Sequence, residues 1–205
     1  MMRYFLCSIL LVTTACASDY AGMRRVDPPC DMNALRPVPM ETTLFNASVD
    51  VMGRHMSGLL FVKNLPDGVH RVLFTSETGV TFFDFEYGAN GKFVVHRVVP
   101  QMDKKVVINL LRSDLALLVA RPFQATRLEF FTLNDSLFAG VDQKKETAYF
   151  ITDKDCASLQ RFEVGSDRKR KVTVTFDGET SAPDAVEIRH HTFDMRIRLR
   201  KLNRE

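Results

Sequence analysis

The chain contains no tryptophan, and beyond its first dozen residues it has no apolar run approaching the roughly 20 residues that a membrane-spanning helix takes. The spacings of common site chemistry are missing too. There is no Cys-x-x-Cys or His-x-Glu to seed a metal site. No Ser/His/Asp or Cys/His arrangement offers an activated nucleophile. Neither sign of charge dominates, since 28 Lys and Arg face 25 Asp and Glu for a net charge of +3. That balance gives no ground for a nucleic-acid partner, which takes a strongly basic face. With no cofactor motif and no catalytic constellation, the chain reads as a non-enzyme without cofactors. What it has in excess is phenylalanine, with 16 copies in 205 residues.

The first residues carry the strongest signal. Arg3 provides a positive start, and an apolar stretch of about eight residues, Phe5 to Val12, follows it. Then come Thr13, Thr14, Ala15 and Cys16. This segment resembles the signal peptide and lipobox of bacterial lipoproteins, in which a small residue precedes an acylated cysteine. It departs from that pattern at Thr13, where an aliphatic residue is preferred. Residues 1–15 are thus expected to be a signal peptide, with lipid (palmitate and related acyl chains) on Cys16. Stable anchoring takes about two acyl chains, a condition that a triacylated cysteine meets. The alternative is plain secretion with cleavage after Ala17, which fits the small-x-small rule.

Cleavage before Cys16 leaves 190 residues, enough for one domain with a substantial core. Cys7 leaves with the signal and Cys16 takes lipid. Cys30 and Cys156 remain, an even pair in an oxidising compartment. A disulfide between them is expected, with two separate thiols as the alternative. Residues 16–40 are expected to be the lipidated cysteine and a flexible tether, because Pro28, Pro29, Pro37 and Pro39 interrupt regular structure. Residues 41–205 form the single folded domain.

That domain reads as strands. The first series is Leu44 to Met52, Gly58 to Leu65, Val69 to Ser76, Val80 to Tyr87 and Phe93 to Val99. The turns between them include Pro66-Asp67-Gly68 and Gly88-Ala89-Asn90-Gly91. Strands at about ten-residue spacing with such turns make an antiparallel meander. Residues 102–120 change period, and Val106, Val107, Leu110, Leu111, Leu115, Leu118 and Val119 mark a helical apolar stripe. Ser113-Asp114 offers a second helix start, so one bent helix or two short ones both fit. Seven further strands follow, from Arg127 to Leu133 through to Phe193 to Leu202. The last alternates Phe193, Met195, Ile197 and Leu199 against Asp194, Arg196, Arg198 and Arg200, one dry face and one wet.

The central strands are apolar at consecutive positions, as in Leu59-Leu60-Phe61-Val62, Val80-Thr81-Phe82-Phe83 and Phe93-Val94-Val95. Strands dry on both faces need cover on both sides. One side is met by the helical segment. The other needs a further layer, a curled sheet or a cavity for something greasy.

Meander, inserted helix and second meander resemble the LolA/LolB-like envelope proteins. The stretches that carry the resemblance are Gly58 to Lys63 with Arg71 to Phe74 and Thr78 to Asp84, the helix with Leu110, Leu111 and Leu115, and Pro183 to His190 leading into the last strand. The resemblance implies a mainly β fold with α, a curled antiparallel sheet (an incomplete barrel) with the helical segment as lid. It also implies binding of an acyl chain or lipoprotein lipid in the cavity, and transport of lipid or lipoprotein. The expected ligand-binding set is Phe61, Phe74, Phe82, Phe83, Phe85, Phe93, Leu110 and Leu111. The expected partners are a membrane through the lipid anchor, the hydrophobic ligand and envelope proteins, and the expected place is the outer membrane, facing the periplasm. The alternative is a structural adaptor in an envelope assembly, with a filled core and no ligand.

Three further groups bear on site chemistry. His190-His191 point to opposite faces of a strand, so one metal does not readily take both. Arg168-Lys169-Arg170-Lys171 fits a solvated hairpin end, or contact with anionic head groups. Asp84 and Glu86 share a face and fit either a paired-carboxylate acid/base site or ordinary carboxylates at a strand edge, and no Ser/His/Asp or Cys/His arrangement accompanies them.

Overall fold

The computed structural model of the chain describes residues 18–202, except 125, 126 and 144. Cys16 and the expected signal peptide lie outside the described residues. Thirteen strands form one antiparallel sheet. In chain order they are β1 (Arg24–Arg25), β2 (Thr43–Val51), β3 (Arg54–Leu65), β4 (Val69–Thr75), β5 (Thr81–Tyr87), β6 (Phe93–Val98) and β7 (Glu129–Leu133). They continue as β8 (Ser136–Asp142), β9 (Thr147–Asp153), β10 (Leu159–Gly165), β11 (Arg170–Asp177), β12 (Ala185–His190) and β13 (Met195–Lys201). The spatial order is β1-β7-β8-β9-β10-β11-β12-β13-β2-β3-β4-β5-β6, so β1 and β6 are free edges and the barrel is incomplete. The first meander and the second are joined through the pairing of β13 with β2, from Met195 opposite Val51 to Lys201 opposite Phe45.

One helix, α1 (Lys105–Leu118), lies across the concave side. It is a single helix, and Ser113-Asp114 does not interrupt it. Pro122 follows it inside a short 3-10 turn, Arg121–Gln124. Leu111, Leu115 and Leu118 of the helix are buried in the same core as Phe45, Leu60, Val72, Phe85, Val174, Ile188 and Ile197 of the sheet. This is the lid arrangement, but the lid is packed down.

The central strands are not dry on both faces. Along β3, Leu60 and Val62 are buried while Leu59 and Phe61 are half-buried, and β4 and β5 alternate in the same way. The expectation of two dry faces is therefore corrected. The outward-facing apolar residues Leu59, Phe61 and Leu73 are only half-buried, so these strands have one dry face. Gly58 shows how tight the curl is. A Cβ placed there would lie 2.1 Å from the carbonyl oxygen of Thr75 on β4, a close approach that only glycine permits.

The expected tether is also corrected over its described part. Tyr20, Met32 and Met40 are 7%, 1% and 1% exposed. The arm starts at the β10–β11 turn, where Asp19 N–H donates to the Arg168 carbonyl at 2.9 Å and the Asp19 carboxylate accepts from Arg170 N–H at 2.9 Å. Tyr20 then packs with Phe138, Tyr149 and Ile151 on the outer face of the sheet. β1 pairs with β7, and Cys30 is bridged to Cys156 with a Cα–Cα distance of 6.4 Å. Met32 and Met40 finally turn into the main core, where Met40 N–H donates to the Leu118 carbonyl. A segment that buries three large side chains and carries a disulfide is part of the domain.

The strand directions sort the turns into two ends. One end carries the β2–β3, β4–β5, β8–β9, β10–β11 and β12–β13 turns and the start of α1. We refer to it as the open rim. The other end carries the C-terminus of α1, Cys156 and the Met40 segment, and the arm closes it.

Candidate functional site

Beside the packed helix there is an apolar opening. A groove of about 740 Å³ lies between the flank of α1, strands β10–β12, the end of β2 and the β12–β13 turn, walled by Val51, Val107, Leu110, Leu117, Val172 and Phe193. Its volume falls within the range of small-molecule sites. Helical geometry explains how α1 serves core and groove together. Leu111, Leu115 and Leu118 follow one face into the core, while Val107 and Leu110 stand on the adjacent flank.

The groove runs into a second trough of about 580 Å³, with which it shares Asn109, Ser113, Leu117, Glu146 and Val164. This trough is cationic. Lys92, Arg112 and Arg121 line it, and the guanidinium of Arg112 stands 4.8 Å from the Phe93 ring centroid. Arg121 donates through Nη1 to Gln124 Oε1 at 2.8 Å and to the Ala89 carbonyl at 3.3 Å. Its Nη2 is buried and has no partner among the described residues. Burial lowers its basicity, yet a guanidinium remains charged at any ordinary pH. Together the two spaces offer an apolar slot and a cationic end.

A buried polar pair sits in the groove wall. His190 Nε2 and the Asp114 carboxylate are 2.9 Å apart, and their side chains are 3% and 2% exposed. The pair ties the middle of α1 to β12. Burial pushes the Asp114 carboxyl up from its ordinary range, and hydrogen bonding to His190 offsets part of that. A signal for this pair existed in the sequence, because Asp114 interrupts the apolar stripe between Leu111 and Leu118, and an ionisable group on a core-facing stripe calls for a buried partner.

Most of the expected ligand-binding residues lie elsewhere. Phe74, Phe83 and Phe85 are 1%, 2% and 0% exposed and pack ring against ring inside the main core. Phe82 packs on Phe74 with centroids 5.0 Å apart, and Phe61 is half-buried on β3 out of phase with Leu60 and Val62. Leu111 is under the helix. Of the set, only Leu110 faces the apolar groove and only Phe93 the cationic trough. Val107, Val172, Phe193 and Arg121 line the two spaces without belonging to the expected set. Their only sequence signal was apolar or charged character near an element end.

The other candidate groups are engaged within the fold. His191 contacts the Thr173 hydroxyl at 2.8 Å, on the opposite face from His190. Among the described residues, no three His, Cys, Asp or Glu side chains are grouped to hold a metal ion. Asp84 accepts two bonds from Arg71, and Glu86 pairs with His96 at 2.8 Å, so the two carboxylates have separate partners. Within the basic run, Arg170 pairs with buried Glu163 at 3.1 Å and Lys171 with Glu146 at 2.5 Å, while Arg168 and Lys169 stay exposed. Beside that run, the Tyr20 hydroxyl is 3.3 Å from Glu163, and burial with the adjacent carboxylate raises the phenol well above its usual range.

No family model matches the chain, and no curated protein does either. Among solved structures, it is similar to the crystal structure of a LolA superfamily protein, NE2245 from Nitrosomonas europaea. The identity is 9%, the coverage 82% of this chain and 87% of that one, and the TM-score 0.47. It is also similar to a DUF1329 family protein from Desulfovibrio piger, with 8% identity, 80% and 85% coverage and a TM-score of 0.40. At these identities neither neighbour assigns a function to this chain.

Proposed function

We propose that the chain is a lipid-anchored envelope protein that binds an amphiphile, with the acyl chain in the apolar groove and an acidic head in the cationic trough. The observation that carries this reading is the continuity of the two spaces along α1. An apolar slot alone would take any greasy molecule. A slot that ends on Lys92, Arg112 and Arg121 selects one with a negative end.

The test uses mature protein carrying Cys16→Ser and a fluorescent fatty-acid probe. Saturable binding of one probe per chain, displaced by unlabelled fatty acid, is the expected result. Leu110→Glu places a carboxylate in the apolar wall at a half-buried position, so the fold survives and affinity falls at least about tenfold, or about 1.4 kcal/mol. No saturable binding, or equal binding by Leu110→Glu, rejects the reading.

The anchor itself is part of the proposal. The order Arg3, apolar run, small residues and Cys16 supports export and acylation. Location at the outer membrane facing the periplasm, and a part in lipid or lipoprotein transport, follow only from the resemblance to LolA/LolB-like proteins and belong to the same proposal. Mass spectrometry of the mature N-terminus is expected to show an acylated Cys16. A free N-terminal Ser18 would reject the anchor and leave the groove untouched.

A further inference from the structure

The groove opens at the rim where the chain enters the fold. Of the six large hydrophobic residues that stay exposed among the described residues, Met52, Val80, Val106 and Phe193 belong to turns or to the helix start at this rim. Met52, Val106 and Phe193 are 77%, 79% and 37% exposed, and all three line the mouth of the apolar groove. The β2–β3 and β12–β13 turns that carry two of them are joined by Met52 N–H donating to the Asp194 carbonyl at 2.9 Å.

Met52 is the least expected of these. It is the first residue of a two-residue hairpin turn with Gly53, and both have positive φ, 48° and 75°. Such turns favour asparagine, aspartate or glycine at that place. A methionine there accepts backbone strain and holds a large apolar side chain out in solvent. Neither choice helps an isolated domain.

The N-terminal side of the chain leads to the same end. Ser18 Oγ donates to the Arg168 carbonyl at 3.1 Å in the β10–β11 turn. The described chain therefore begins fixed at this rim. Arg168 and Lys169, exposed in that turn, stand beside it.

We propose that the open rim is a bilayer-docking surface, with Met52, Val106 and Phe193 seated in the lipid interface and the apolar groove opening onto it. The chain then stands upright on the membrane, with its arm-closed end and Cys156 pointing away. Arg168 and Lys169 meet the head groups. A fatty molecule can pass between bilayer and groove without crossing water. The docking surface stands whether or not the groove holds a ligand, since it rests on the rim side chains and on where Ser18 is fixed.

The absence of tryptophan makes the test direct. The full chain, processed by its host and reconstituted in vesicles, is prepared as Met52→Trp, Val106→Trp, Phe193→Trp and Val38→Trp. The vesicles contain phosphatidylethanolamine and phosphatidylglycerol with or without brominated acyl chains, which quench a nearby tryptophan. Val38 is 57% exposed but lies in the arm two residues before Met40, at the closed end. A side chain seated about 5–10 Å into the interface is expected to lose at least about half its emission at the rim positions. The Val38→Trp emission is expected to stay unchanged. Quenching at none of the three rim positions overturns the proposal, and so does equal quenching at Val38→Trp. Three rim variants guard against one that fails to fold.

Discussion

The Cys30→Ser/Cys156→Ser protein is expected to lose about 5 kcal/mol of stability relative to the bridged chain, the value for closing a loop of this length in the chain-entropy account. The two cysteines are 126 positions apart, so their bridge spans most of the fold. The loss has a local side as well. The bridge fixes the arm between β1, which pairs over only two residues, and Met32, which is 1% exposed. Without it, Met32 and Met40 remain the main hold on the closed end. Urea unfolding of the bridged and Ser-substituted proteins reads the difference. For a domain of this size the midpoint temperature is expected to fall by roughly 10–20 °C. A change under about 1 kcal/mol would mean that the arm holds by packing alone.

The second large effect lies in the groove wall. His190→Leu removes one member of a buried pair and leaves Asp114, 2% exposed, without its partner. Breaking such a pair costs on the order of 3 kcal/mol. The double substitution Asp114→Leu/His190→Leu removes both polar groups and is expected to recover most of that loss, because an apolar replacement strands nothing. The pH dependence has a definite sign. Burial raises the folded-state pKa of Asp114 above its unfolded value of 3.8. The folded state therefore holds that proton more tightly, and the favourable contribution is complete below the unfolded pKa. It is lost as pH rises through the folded pKa. In His190→Leu the offset from His190 is gone, so its deficit against the parent protein is expected to be larger at pH 7 than at pH 4. His190→Leu/Asp114→Asn should lack that extra loss. Urea unfolding at the two pH values measures it, and an equal deficit at both would reject the assignment to Asp114.

The two spaces along α1 were only partly readable from residues in order. Leu110 was identifiable because the helical stripe is wider than the core needs, which leaves a flank. The phenylalanines lie where the sheet, not their runs, puts them. Consecutive apolar residues in β3, β4 and β5 suggested two dry faces, but their outward-facing apolar side chains are only half-buried. Phe74, Phe83 and Phe85 then had only the helix to meet, and they fill the core. Arg121 follows the helix in a short turn, and only the approach of Ala89 from the β5–β6 turn gives it a role. The arm was opaque because Tyr20, Met32 and Met40 obey no period. A two-residue strand such as β1 has no pattern to read.

By itself the sequence determined what depends on neighbours in the chain. The alternation Met195, Ile197, Leu199 sets a one-sided strand. Pro66-Asp67-Gly68 sets its turn, and the stripe from Leu111 to Leu118 sets one helix. Periodicity and turn chemistry act within a few residues, so they survive reading in one dimension. Only the tertiary structure decided which apolar side chains meet each other, that Asp114 meets His190, and that Met52, Val106 and Phe193 share a rim with Ser18. Those contacts join positions dozens of residues apart, and the curl of the sheet, a property of all thirteen strands together, brings them side by side.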